Sequence, residues 1–369
     1  MDELDDKVEL GNDEDSNVID DAAKDATVPI VQYQVSSYGA DYDVEGLVKR
    51  LERGDIKVPT FQRGFVWKLK EASRFIESLL LGLPVPSVFF ARETDTNKLL
   101  VIDGQQRLKT LQFFYGGYFN PKPEDKKQQV FRLSEVQSEF NNVTYSSLEE
   151  PDKRRLNDSI IHAIIIKQES PENDNTSVYH IFDRLNSGGQ RLTPQEIRAA
   201  VDHGAFIDMI RNLNENRCWR TIYGKKNSRL KDQEFILRFL AFYYSSEQYE
   251  RPMNEFLNKF SNRYRKADEA FLRECEELFS ITIDTIEKCL GNSAFRPEGS
   301  LNAAVFDSVM VGLAKQLQSS KEINLDRVKE VYEKLVEDKD YSRAVSQATA
   351  VEGNVKLRMN KAIEAFARV

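Results

Sequence analysis

The residues best suited to chemistry lie in one short run, Val101-Ile102-Asp103-Gly104-Gln105-Gln106-Arg107-Leu108. An apolar strand passes into Asp-Gly and then directly into a helical pattern. Such a bend presents backbone N–H groups at a helix N-terminus, where an anion is stabilised. Gly104 lets a ligand approach the backbone closely, or simply supplies a positive φ for the turn. Asp103 can hold a metal ion or orient a nucleophile. Gln105 and Gln106 offer neutral donors and acceptors, and Arg107 can neutralise phosphate charge. The plain alternative is a tight turn followed by a solvated polar loop.

Two further motifs flank this one. In Val58-Pro59-Thr60-Phe61-Gln62-Arg63-Gly64-Phe65-Val66-Trp67, an extended Pro-led segment sets Gln62 and Arg63 between aromatics. Arg63 can grip a phosphate in a bidentate fork. Equally, Phe and Trp can fill the core while the Arg pairs with a carboxylate. The third motif, Ile181 to Arg198, forms a helix–turn–helix corner around Asn186-Ser187-Gly188-Gly189 and brings Arg184, Arg191 and Arg198 together. Its plain reading makes the caps structural and leaves the arginines solvated or paired with Asp183 and Glu196.

The elements that must position these motifs are legible in the apolar spacing. Helices are predicted over 47–54, 71–81, 106–115 and 177–185, and strands over 87–91, 98–102 and 160–167, with a polar loop over 168–176. Thr193-Pro194-Gln195-Glu196 reads as a capping box with Pro at the first helical position. Beyond residue 200 strand signals vanish. Helical spacing recurs over 232–244, 255–265, 268–290, 301–317, 325–337 and 354–367, joined by short loops as in a bundle. The predicted architecture is α+β: an acidic disordered tail over 1–30, an α/β domain over 31–200 and an all-helical domain over 201–369.

Composition excludes several classes. The chain has 369 residues with a net charge of −8 and 40% hydrophobic content, enough for sizeable cores. Eleven acids against two bases in residues 1–25 account for −9 of that charge, which leaves the body at +1. A near-neutral body gives no case from overall charge for nucleic-acid binding. The tail reads as a solubilising arm or, more sharply, as a mimic of phosphate charge competing for a basic groove. The longest apolar runs fall far short of the roughly 20 residues that span a membrane. The acidic start is unlike a secretory leader. Three cysteines without CxxC spacing (Cys218, Cys275, Cys289) argue against a disulfide framework and for a reducing cytoplasm. His162, His180 and His203 are scattered and show no metal-ligand spacing.

The motifs taken in order are similar to those of the GmrSD-type restriction endonuclease N-terminal domain. They are Phe61-Gln62-Arg63 with Trp67; Glu77-Ser78-Leu79-Leu80-Leu81-Gly82-Leu83-Pro84-Val85-Pro86; Asp103-Gly104-Gln105-Gln106-Arg107-Leu108; Phe182-Asp183-Arg184-Leu185-Asn186; and Leu192-Thr193-Pro194-Gln195-Glu196-Ile197. The likeness covers residues 40 to 200. Phe306 to Met310 and Ser342 to Arg358 resemble the family's helical tail. The resemblance implies a ParB/sulfiredoxin-like core in which the Asp-Gly-Gln-Gln-Arg loop is the nucleotide-phosphate site. It makes Asp103, Gln106 and Arg107 the expected catalytic residues. Gln62, Arg63, Gly104, Gln105, Arg107, Arg184 and Asn186 are the expected phosphate ligands, and Asp103 the expected ligand of Mg²⁺ carried by a nucleoside triphosphate.

One departure stands out. Full-length enzymes of this type add a C-terminal HNH-like metal site, and no His follows His203 here. The resemblance therefore implies an NTP-hydrolysing regulatory or DNA-sensing module of a restriction and phage-defence system, with DNA or a separate nuclease subunit as partner. The alternatives are a DNA-nicking nuclease in its own right, a non-enzymatic DNA or phosphate binder, and a purely structural protein.

Overall fold

The computed structural model describes residues 18–20, 34–58, 65–93, 96–122, 127–170, 179–181, 192–319, 323–367 and 369. The chain divides into two compact units, one built from Val31–Val201 and the other from Met1–Ile30 with Asp202–Val369. In chain order the strands are β1 (Val18–Ile19), β2 (Gln34–Asp43), β3 (Ile56–Lys57), β4 (Val88–Arg92), β5 (Leu99–Asp103), β6 (Ile160–Ser170) and β7 (Leu301–Asn302).

The first unit is a five-stranded mixed sheet in the order β2-β6-β4-β5-β3. Strands β4 and β5 run antiparallel, while β6 is parallel to β4 and β3 is parallel to β5. Four helices belong to one face: α1 (Val44–Glu52), α2 (Leu69–Leu80), α3 (Gln105–Gly116) and α4 (Glu150–Asp158). Their apolar stripes meet Val88, Phe90, Leu99, Val101, Ile161, Ala163 and Ile165 in one buried cluster. The opposite face packs Ala91, Leu100, Ile102 and Ile166 against Tyr179 and against Ile197, Ala200 and Val201 of α5 (Pro194–Val201). The alternation of neighbours such as Val101 and Ile102 between two clusters follows from the pleat, and covering both faces explains why β5 is apolar from Leu99 to Ile102.

Start and stop signals act as their chemistry requires. Asp43 caps α1 by accepting from the Gly46 N–H at 2.6 Å. At α5 the expected capping box is present: Thr193 N–H donates to Glu196 Oε2 at 2.6 Å, and Glu196 N–H donates to Thr193 Oγ1 at 3.2 Å. Of the two plain expectations for Arg198, solvated or paired with a carboxylate, burial rules out the first. Arg198 is fully buried and its Nε donates to Gln195 Oε1 at 2.8 Å. The predicted helix over 177–185 is described only at residues 179–181. Residues 168–170, placed at the start of a polar loop over 168–176, instead continue β6 against β2, and the rest of that span lies outside the described residues.

The second unit holds the helices α6 (Ala205–Leu213), α7 (Arg217–Tyr223), α8 (Lys231–Ser245), α9 (Met253–Tyr264), α10 (Glu269–Leu290), α11 (Ala303–Ser319), α12 (Leu325–Glu337), α13 (Lys339–Ser346) and α14 (Glu352–Phe366). Helix α11 is buried continuously from Ala303 to Ala314, so it forms the centre of the bundle. Its Gly312 lies where α14 crosses: a Cβ there would sit 2.8 Å from the Ala362 carbonyl carbon and oxygen. Polar groups join the core as well. Asp232 accepts from Asn214 Nδ2 and Arg220 Nη1, both at 2.9 Å, and from the Asn227 N–H at 3.1 Å.

Part of the expected disordered tail is ordered. Within residues 1–30, Val18 and Ile19 pair in parallel with Leu301 and Asn302. Asp20 then enters a buried ion-pair cluster with Lys231 and Arg238. A buried arginine and a partly buried lysine supply what an acidic composition alone cannot reveal. Among the described residues no helix is long and apolar enough to cross a membrane.

Candidate functional site

The site begins with an all-apolar strand that stops abruptly. Leu99, Leu100, Val101 and Ile102 of β5 are buried, whereas the Asp103 side chain keeps 44% of its exposure. Gly104 follows in the left-handed region at φ 99°, and α3 starts at the next residue. Two independent reasons require glycine here. An L side chain disfavours that φ, and a Cβ at Gly104 would stand 2.5 Å from Val88 Cγ1. The bend is thus pressed onto the first residue of β4.

No side chain caps α3 at Gly104. The helix ladder opens with the Leu108 N–H donating to the Gly104 carbonyl at 3.0 Å. The N–H groups of Gln105, Gln106 and Arg107 therefore stand ahead of it, at the positive end of the helix dipole. The first turn carries no acidic residue to compete with an incoming anion.

Arg107 is held inside the protein. Its Nη1 donates to the Pro86 carbonyl and, at 2.9 Å, to the Ser87 carbonyl, while Nη2 meets Asp103 Oδ2 at 2.9 Å. Only 12% of its side chain is exposed. One guanidinium thereby ties the entry of β4 to the exit of β5 and fixes the Asp103 carboxylate. Three of its five N–H donors are thereby spent within the protein. Gln106 faces the other way along the fold: its Oε1 accepts from the Val66 N–H at 3.0 Å and the Trp67 N–H at 3.3 Å. That contact anchors the end of the aromatic motif, where Phe65 packs edge-on against Phe113 of α3 at 5.0 Å and Trp67 against Phe75 at 5.8 Å. Phe65 and Trp67 thus pack against the core, as their plain reading had it.

The structure brings Asp103, Gly104, Gln105, Gln106 and Arg107 to one bend. Gln62, Arg63, Arg184 and Asn186 lie outside the described residues. Two participants went unassigned in the sequence: the Pro86 and Ser87 carbonyls that serve Arg107. Pro84-Val85-Pro86 was visible only as part of a resemblance.

The Gln106 contact yields a prediction. Gln106→Leu removes the acceptor shared by two backbone N–H groups, an expected loss of about 1–2 kcal/mol. Urea denaturation followed by tryptophan fluorescence checks it; a midpoint equal to that of the wild type would show that the contact contributes nothing.

Asp103 suits a metal that arrives with its own ligands. Mg²⁺ is commonly held by one or two carboxylates together with substrate phosphates, and Asp103 is a half-exposed carboxylate fixed in orientation by Arg107. Among the described residues no group of three or more His, Cys, Asp or Glu could hold a metal by itself.

A two-faced mixed sheet with a polar strand-to-helix bend after β5 thus defines the α/β domain. Residues 44–201 match the family described as GmrSD restriction endonuclease, N-terminal domain. Over those residues the α/β unit is similar to that domain. No curated protein matches the chain.

Proposed function

We propose that the α/β unit binds a nucleoside triphosphate with its phosphates against the first turn of α3, and that hydrolysis there regulates a DNA-directed partner. The observation that carries this reading is the Asp103-Gly104 bend: a fixed, half-exposed carboxylate beside an uncapped helix start. Gly104 admits phosphate oxygens close to the backbone, and the N–H groups that follow donate to them. Asp103, steered by Arg107, orients the attacking water or holds the ion. Mg²⁺ bound with the nucleotide would neutralise phosphate charge. Attack by water on the γ-phosphorus releases inorganic phosphate and the diphosphate. Gln62, Arg63, Arg184 and Asn186 complete the proposed ligand set by their motif positions, and a separate nuclease subunit or DNA is the proposed partner.

A second reading is favoured by the tying-down of Arg107, which leaves its guanidinium engaged by protein groups. On that reading the bend holds a phosphate or a DNA backbone without turnover.

Thermal shift and phosphate release with ATP, GTP, CTP and UTP plus Mg²⁺ test both. At a hundredfold excess over Kd, the cognate nucleotide should add about 2.7 kcal/mol of stability. Asp103→Ala should abolish turnover. Binding that falls steeply with salt and never turns over supports the second reading. Identical behaviour of wild type and Asp103→Ala with every nucleotide would overturn the first.

A further inference from the structure

The helical unit buries a chain of ionic groups apart from the bend. Arg238 on α8 donates through Nε to Asp307 Oδ1 at 3.0 Å and through Nη2 to Oδ2 at 2.6 Å. Arg358 of α14 stands 3.5 Å from the same carboxylate, and neither Arg358 nor Asp307 has any exposed side-chain surface. Lys231, at the start of α8, meets Glu234 at 2.7 Å. Within these pairs three cations face two anions, a surplus of one positive charge. The missing negative charge comes from far away in sequence. Asp20 Oδ2 lies 2.5 Å from Lys231 Nζ and 3.4 Å from Arg238 Nη1, with 8% of its side chain exposed.

The attachment of Asp20 is uneven. Among the described residues, its neighbours Val18 and Ile19 pair in parallel with Leu301 and Asn302. The charge it neutralises is buried, and an uncompensated buried charge is strongly unfavourable. Arg238 already spends its fork on Asp307, so Asp20 receives only the outer Nη1 edge, at 3.4–3.5 Å. Burial by itself would lower the Lys231 pKa; Glu234 and Asp20 outweigh it and hold the ammonium above its usual range.

We infer that Lys231 and Arg238 form an oxyanion site in the helical unit, occupied in cis by the Asp20 carboxylate, and that a compact external oxyanion of the carboxylate or phosphate class exchanges with it. The Asp20 carboxylate, held beside Val18 and Ile19, then acts as a tethered occupant whose release leaves a cationic seat for a ligand. This inference is independent of the nucleotide reading, because every group in it belongs to the second unit.

The test uses the full chain. Asp20→Asn should lower the melting temperature by about 5 °C or more, and inorganic phosphate should restore most of that loss saturably, beyond a chloride control of equal ionic strength. The wild type should respond little. Acetate in place of phosphate distinguishes the two sources of the oxyanion: restoration by acetate assigns a carboxylate ligand, and restoration by phosphate alone assigns a phosphate. An unchanged melting temperature in Asp20→Asn, or restoration no better than chloride by either anion, overturns the inference. If Asp20→Asn yields no folded protein, Asp20→Asn/Lys231→Met decides. Removing the surplus cation should recover the fold, and failure to recover it counts against the site.

Discussion

Asp307→Ala should destabilise the helical unit by about 3–5 kcal/mol, the usual consequence of removing one member of a buried ion pair. The carboxylate is fully buried and serves Arg238 through both oxygens while Arg358 stands 3.5 Å away. Burial already pushes the Arg358 guanidinium below the usual arginine range, and its remaining anchor is the Thr349 carbonyl. Without Asp307 two guanidinium groups would stay in the core with too little negative charge. Asp307→Asn should recover part of the loss, since an amide oxygen still accepts one hydrogen bond. Chemical denaturation of the two variants checks both statements. A loss below about 1 kcal/mol in Asp307→Ala would mean that water or another carboxylate compensates.

Gly104→Ala is the second large effect, expected at about 2–4 kcal/mol from the left-handed backbone and from overpacking against Val88. The added Cβ would meet Val88 Cγ1 at 2.5 Å, and the positive φ forbids easy relaxation. Gly104→Ala/Val88→Ala separates the two causes. Opening space at Val88 should relieve the clash but leave the backbone strain, so the double variant should recover only part of the loss that the added methyl causes. Full recovery would show that φ at Gly104 carries no cost, and none would show that the contact is irrelevant. Because the bend moves with the strand entry that Arg107 grips, nucleotide affinity should fall along with stability in Gly104→Ala.

The sequence was most transparent where burial and local chemistry agreed. Strand β5 and helix α2 announced themselves because their apolar residues face filled cores. The α5 capping box was legible since its two hydrogen bonds lie within four residues. Strand β2 escaped notice because it is the sheet's edge and most of its side chains face solvent, so it lacks apolar alternation. Helix α4 buries a single side chain, Leu156, too little for a periodic signal.

At the candidate site the bend itself was readable as an apolar run meeting Asp-Gly. Its wiring was not. Arg107 bonds to backbone carbonyls, which leave no trace in residue identity, and Gln106 reaches N–H groups 40 positions away. Asp20 was hidden among ten other acids, and only the tertiary structure distinguishes it from a solubilising charge.

Amide hydrogen exchange across α3, with and without the nucleotide that gives the largest thermal shift, addresses the proposed phosphate site at its most specific point. Phosphates seated on the first turn should slow exchange at Gln105, Gln106 and Arg107 while leaving the C-terminal half of the helix unchanged, and Asp103→Ala should erase that protection. Nucleotide binding with no change at those three amides would contradict the assignment of the bend as the site.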